Sequence, residues 1–235
     1  MSWSKREMVI SDGQKVSAQE PVIISASRST DIPAFYSGWF FERLRAGYCN
    51  WVNPYNREVF RVSFEGTRMI VFWSKNPKPM MERLDELEAL GFKNYYFQFT
   101  LNDYVREGLE SNVPPVEERI ETFKALAKRL GKERVIWRYD PLILSDDLTV
   151  DALLERIACI GRELRGSTEK LVFSFADILS YRKVNQEVQE RQGPAQSVWL
   201  CDQQGHRYVQ YLPASLQVLL CEFVRGCRSC QSQAA

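Results

Sequence analysis

Residues 69–100, MIVFWSKNPKPMMERLDELEALGFKNYYFQFT, hold one strand–helix–strand unit whose rhythm extends in both directions along the chain. Met69–Trp73 is a short continuous apolar run bounded by polar residues, the pattern of a strand buried on both faces. Pro79–Leu90 then places Met80, Met81, Leu84, Leu87 and Leu90 at helical spacing, and Gly91 stands where a helix C-terminus favours a left-handed residue. Tyr95–Phe99 is the next strand. Two such strands joined through a helix make a βαβ unit, which predicts a parallel sheet covered by helices.

Upstream, Val22–Ser25 reads as a strand and Ala34–Ala46 as a helix with Trp39, Phe40 and Leu44 inward, ended by Gly47. Tyr48–Val52 and Glu58–Phe64 are rich in β-formers and flank the turn sequence Asn53-Pro54-Tyr55-Asn56, predicting a hairpin insertion near 48–64. Downstream, Pro115–Leu130 is a helix with Ile120, Phe123, Leu126, Ala127 and Leu130 on one face. Arg134–Trp137 is a strand, Val150–Leu164 a helix capped by Thr149, and Lys170–Phe175 a fifth strand, followed by a polar helix over 181–191. Residues 1–20 are polar and aperiodic, a loose arm with one short strand at Met8–Ile10. The fold class is therefore α/β: a partial, TIM-like barrel of parallel strands with outer helices over residues 21–190.

Composition narrows the function. The 235 residues carry 31 Lys+Arg against 30 Asp+Glu, so no bulk electrostatic pull toward nucleic acid or an anionic membrane is implied. Trp and Tyr fall at buried strand and helix positions, which argues against a base-stacking surface. No apolar run reaches the ~18 residues of a membrane span, and no secretory leader is evident, so a cytoplasmic location is expected. G-x-G-x-x-G, P-loop, G-x-S-x-G and H-E-x-x-H patterns do not occur, which lowers nicotinamide, nucleotide-hydrolysis and serine-hydrolase chemistries.

In parallel α/β folds ligands bind beyond the carboxyl ends of the strands, and here each strand runs into polar residues at that end. The first gives Ser27, Arg28, Ser29, Thr30 and Asp31; the second Ser74, Lys75 and Asn76; the third Gln98, Thr100 and Asn102. The fourth gives Arg138 and Asp140, and the fifth Ser174 and Asp177. The amino-terminal ends are merely Gly, Lys and Glu turns. Such an asymmetry predicts a polar pocket for a small-molecule ligand, with Lys75 or Asp140 as the proton-transfer group. Ser27, Arg28, Asp31, Asn76, Gln98, Arg138 and Asp177 are the candidate substrate- or anion-binding residues. Several have structural readings as well: Asp31 or Thr30 stands at an N-cap position, and Arg138 with Asp140 could form an internal salt bridge.

The last 45 residues differ in kind. Residues 191–235 hold eight of thirteen glutamines, four of six cysteines and no lysine, and show no β-α rhythm. Cys221-x5-Cys227-x2-Cys230, with Cys201 and the lone His206 nearby, is compatible with either a metal site or free thiols.

The strings SASRSTDIPAFYSGWF, GYCNWVNPYN, VFWSKNPKPM, YYFQFTLN, SNVPP, ERVIWRYDPL and VFSFAD resemble the domain of unknown function 1848 family over about residues 21–185. That resemblance implies an α/β barrel related to radical S-adenosylmethionine enzymes, with S-adenosylmethionine and a 4Fe–4S cluster on C-terminal cysteines as cofactors. The chain departs from the pattern at the end, where the spacing of Cys221, Cys227 and Cys230 is not C-x3-C-x2-C and no room remains for three further β-α units. The expectation is a truncated or frame-shifted, inactive member with a non-homologous tail at 191–235 and an open barrel edge prone to association. The alternatives are a cluster-free barrel enzyme acting on a small anionic metabolite, or a non-catalytic ligand-binding domain.

Overall fold

The structure is a computed structural model that describes residues 4–10, 13–27, 30–53, 56–110, 112–143 and 148–175. Arg28, Asp177, the helix expected over 181–191, His206 and the cysteines from Cys201 onward lie outside the described residues. The chain divides between Phe99 and Thr100 into two compact units. Each is a mixture of helices and parallel strands, as the β-α rhythm predicts, and among the described residues no sheet closes on itself.

The first unit begins with a hairpin, β1 (Lys5–Val9) and β2 (Lys15–Gln19), where the sequence predicts only a short strand. Met8 stands opposite Val16 and Arg6 opposite Ala18, and β2 alternates apolar and polar residues over only five positions, too short a run to stand out in a polar segment. Arg6 ties them down by reaching Glu20 and Glu65, each at 2.8 Å. After β3 (Ile23–Ala26) come a single turn α1 (Ile32–Phe35) and α2 (Ser37–Ala46), then β4 (Tyr48–Val52) and β5 (Val59–Ser63). β4 and β5 form the expected antiparallel hairpin, and with the N-terminal pair they make a four-stranded sheet in the order β1-β2-β5-β4. Gly47 closes α2 at φ 80°, a conformation that a Cβ disfavours.

β6 (Met69–Ser74) lies between β3 and β7 (Tyr95–Thr100), all parallel, with Ala26 opposite Phe72 and Phe72 opposite Phe97. One face of these strands is packed. Phe72 stacks on Phe97 at 4.9 Å and receives the Phe40 ring edge-on at 5.7 Å. Phe40, Phe41 and Leu44 are the buried residues of α2, whereas Trp39 is 45% exposed and not inward as the sequence pattern suggests. Residues 40, 41 and 44 centre one face of the helix, and position 39 falls nearly opposite it at 100° per residue. The helix expected over Pro79–Leu90 is two pieces, α3 (Lys78–Met81) and α4 (Leu84–Ala89), with Met80, Leu84 and Leu87 buried. The break sets the Arg83 guanidinium 4.0 Å above the Phe41 ring.

In the second unit α5 (Val116–Leu130) is followed by β8 (Val135–Leu142), α6 (Val150–Glu163) and β9 (Leu171–Phe175). β8 and β9 are parallel, with Trp137 opposite Leu171 and Tyr139 opposite Phe173. Thr149 caps α6 through the Ala152 N–H at 3.3 Å, as read from the sequence, and Lys124 of α5 reaches Glu163 of α6 at 2.9 Å. β8 runs five residues beyond the predicted end at Trp137. The polar residues expected beyond the strand end, Arg138 and Asp140, alternate with buried ones, so the strand continues with one face packed and the other half-open.

That alternation recurs in each unit. Along β7, Tyr95, Phe97 and Phe99 are buried while Tyr96, Gln98 and Thr100 are half-buried. Along β8, Val135, Trp137 and Tyr139 are buried while Ile136, Arg138 and Asp140 are half-buried. The polar candidates therefore project from the less covered face. No helix of the described residues is long and apolar enough to cross a membrane.

Candidate functional site

At the carboxyl end of β3 and β6, Asp31 joins two elements. Its Oδ1 accepts the Ala34 N–H at 3.0 Å, capping α1, and its Oδ2 accepts the Lys75 N–H at 2.7 Å. Burial lifts its carboxyl above the ordinary value, opposed by hydrogen bonds from the Lys75 N–H, the Ser74 hydroxyl and the Ala34 and Asn76 N–H groups. Both oxygens thus hold backbone donors, which bears out the N-cap reading of this residue. Ser27 closes the neighbouring turn, its hydroxyl accepting the Thr30 N–H at 3.2 Å. The Asn76 N–H reaches the buried Ser74 hydroxyl at 3.0 Å. Lys75, Asn76 and Gln98 are half-buried, and Gln98 stands opposite Trp73 across the β6–β7 ladder. The first unit therefore brings Asp31, Lys75 and Asn76 together with Ser74, through the backbone N–H groups of Lys75 and Asn76 and the Ser74 hydroxyl.

The second unit assembles a denser cluster at the end of β8. The Arg138 guanidinium and the Ser174 hydroxyl both donate to the Asp140 carboxylate. The side chains of Arg138 and Asp140 are 14% and 20% exposed, so the pair is partly withdrawn from water but still reachable. The Asp140 backbone is held separately. Its N–H donates to Asn102 Oδ1 at 2.9 Å, and its carbonyl accepts from Asn102 Nδ2 at 3.2 Å. The next carbonyl, that of Pro141, accepts from the Tyr104 hydroxyl at 2.7 Å, and the same hydroxyl accepts the Ile143 N–H at 3.2 Å. Burial pushes the Tyr104 and Tyr139 hydroxyls well above their ordinary range. The Asp140–Pro141 peptide is cis, as is Ala26–Ser27.

Reading the sequence by strand ends locates Arg138, Asp140 and Ser174 but misses what orders them. Asn102 is visible as a polar strand-end residue, yet its partner is 38 positions away. Arg119 is the clearer miss. It is 1% exposed on α5, it donates to the Asn102 carbonyl at 3.0 Å, and it pairs with the equally buried Glu110 at 3.4 Å. Its signal was an arginine on the same helical stripe as Phe123, Leu126 and Leu130.

Among the described residues no group of three or more His, Cys, Asp or Glu side chains is placed to hold a metal ion. The two described cysteines do not fit a cluster site. Cys49 is half-buried with its thiol pushed up to about 11 by burial, and Cys159 is exposed on α6 with Arg162 3.0 Å from its sulfur.

A family model described as Domain of unknown function (DUF1848) matches residues 23–219, past the point where the string resemblance ends and short of Cys221. No curated protein and no solved structure matches the chain.

Proposed function

The chain belongs to the DUF1848 family, and from that footing we propose that it binds a small anionic metabolite at the Arg138–Asp140–Ser174 cluster, with Arg138 holding the anionic group and Asp140 moving a proton. The observation that carries the reading is a half-buried ion pair on the less covered face of β8, its acidic member fixed by Asn102 on one side and by Ser174 on the other. A pair held so firmly has little entropy left to lose when a ligand arrives, and partial burial strengthens each charge-assisted contact. In the first unit Lys75 is the residue proposed for the same roles, with Ser27, Asn76 and Gln98 as ligand contacts. Asp31 is better assigned as the brace of α1 against β6, since both its oxygens hold backbone donors. The partial TIM-like barrel belongs to the same proposal, supported by strands that are packed on one face and polar on the other.

Calorimetric titration with inorganic phosphate and with malonate tests the reading. Wild-type protein is expected to bind at least one of them saturably, and Arg138→Met at least about tenfold more weakly, since a hydrogen bond to a charged group contributes ~1.5–3 kcal/mol. Absence of saturable binding by the wild type overturns it.

The radical S-adenosylmethionine-like reading rests on the resemblance and on Cys221, Cys227 and Cys230. All three lie beyond residue 219, where the family match ends, and outside the described residues. Iron and acid-labile sulfide after anaerobic reconstitution decide it: four irons retained by the wild type and lost on changing the three cysteines to alanine favour it, and no retained iron removes it.

A further inference from the structure

Arg119 occupies a place where an apolar residue would serve the core better. It lies on the buried stripe of α5 with Ile120, Phe123 and Leu126, it is 1% exposed, and its Nε has no hydrogen-bond partner. Burying a guanidinium is costly unless its donors are matched, and here the contacts to Glu110 are long, both at 3.4 Å. The shorter contact runs elsewhere, from Nη2 to the Asn102 carbonyl at 3.0 Å. Asn102 is itself 1% exposed and closes both ends of its side-chain amide on the Asp140 backbone. The Asp140 carboxylate in turn receives Arg138 and Ser174.

We propose that Arg119 is a positioning residue for the Asp140 cluster, acting through Asn102. This deepens the ligand-binding reading above and rests on it. The forked guanidinium suits the task because one arm holds the Asn102 carbonyl while Glu110 anchors both arms from the far side. Without that donor the Asn102 carbonyl loses the contact that fixes its peptide on the α5 side, and the two hydrogen bonds that aim Asp140 weaken together.

The experiment is residue-resolved amide hydrogen exchange on the whole chain, with phosphate titration in parallel. In Arg119→Met the Asp140 N–H is expected to exchange at least about tenfold faster, while the Phe123 and Leu126 amides of α5 change by a smaller factor. Arg119→Lys should fall between wild type and Met, and phosphate affinity should follow the same order. If the Asp140 amide is unchanged, or if all three amides accelerate equally, Arg119 is only part of the core and the proposal is overturned. Should Arg119→Met fail to fold, Arg119→Lys decides by the same comparison. Exchange at Asp140 needs no ligand, so a wild type that ignores phosphate sinks the binding reading while leaving the positioning result legible.

Discussion

Asn102 and Asp140 stand 38 residues apart in the chain and close a two-point clamp, the Asn102 side chain accepting from the Asp140 N–H at 2.9 Å and donating to its carbonyl at 3.2 Å. The segment carrying Asn102 is also strapped to β8 just before that clamp. The Leu101 N–H donates to the Arg138 carbonyl at 2.9 Å, and the Trp137 indole donates to the Leu101 carbonyl at 2.9 Å. Every one of these groups is satisfied without water, so the end of β8 is rigid where its polar side chains emerge.

Replacing Asn102 by leucine keeps the volume and removes both partners of a buried backbone N–H and C=O. The expected cost is ~2–4 kcal/mol, read as a lower urea midpoint with an unchanged slope. Asn102→Asp keeps the acceptor for the Asp140 N–H, loses the donor and adds a charge near Arg119, so it should fall between wild type and leucine. A leucine variant within ~0.5 kcal/mol of wild type would mean that the clamp is dispensable.

The strand–helix rhythm was legible because it depends on local chemistry: β6 and β7 are apolar runs, and Gly47, Gly91 and Gly131 end helices at φ values of 80°, 95° and 97°. What was not legible depends on distant partners. The β1–β2 hairpin offers only Val16 and Ala18 as a brief apolar alternation, and it is held by Arg6 to Glu20 and Glu65. The apolar run of β8 ends at Trp137 although the strand continues to Leu142, because polar residues on a half-covered face interrupt the apolar signal. Asp140 could be picked out from Arg138-Tyr139-Asp140-Pro141, but nothing near it in sequence names Asn102 or Arg119.

The two described cysteines should differ in reactivity. Burial holds the Cys49 thiol at about 11, so at mildly alkaline pH almost none of it is the nucleophilic thiolate, and the residue is half-buried. Cys159 is exposed, with the Arg162 guanidinium beside its sulfur. Timed alkylation with iodoacetamide followed by peptide mass mapping should show Cys159 modified at least about tenfold faster than Cys49. Equal rates would mean that β4 opens on the timescale of the reaction.

Asp31 gives a pH dependence of unusual sign for a carboxylate. Its folded pKa is raised by burial, so its favourable contribution is fully present below the ordinary carboxylate value and is lost as pH rises through the raised one. Asp31→Asn removes the titration. The stability gap between wild type and variant should therefore be wider at about pH 4 than at about pH 7, measured by denaturant unfolding at each. A gap that widens toward neutral pH would show that the N–H donors of Ala34 and Lys75 outweigh burial.

Glu107 provides the opposite sign within the second unit. Arg156 grips it with two parallel contacts, Nη2 to Oε1 at 2.7 Å and Nη1 to Oε2 at 2.9 Å, and these hydrogen bonds hold its carboxyl below the ordinary value against the pull of burial. The contribution is present above the ordinary carboxylate value and is lost as pH falls through the lowered one. Because the Glu107 side chain is only 9% exposed, the pair is shielded from salt screening, and Glu107→Gln is expected to cost ~1–3 kcal/mol at neutral pH. The gap should shrink steadily in acid, as wild-type Glu107 takes up the proton that makes it resemble glutamine. Denaturant unfolding of both proteins from neutral to about pH 3 checks the slope. A gap that stays constant over that range would mean that Arg156 holds this segment through the Asp103 carbonyl, its other acceptor, and not through the carboxylate.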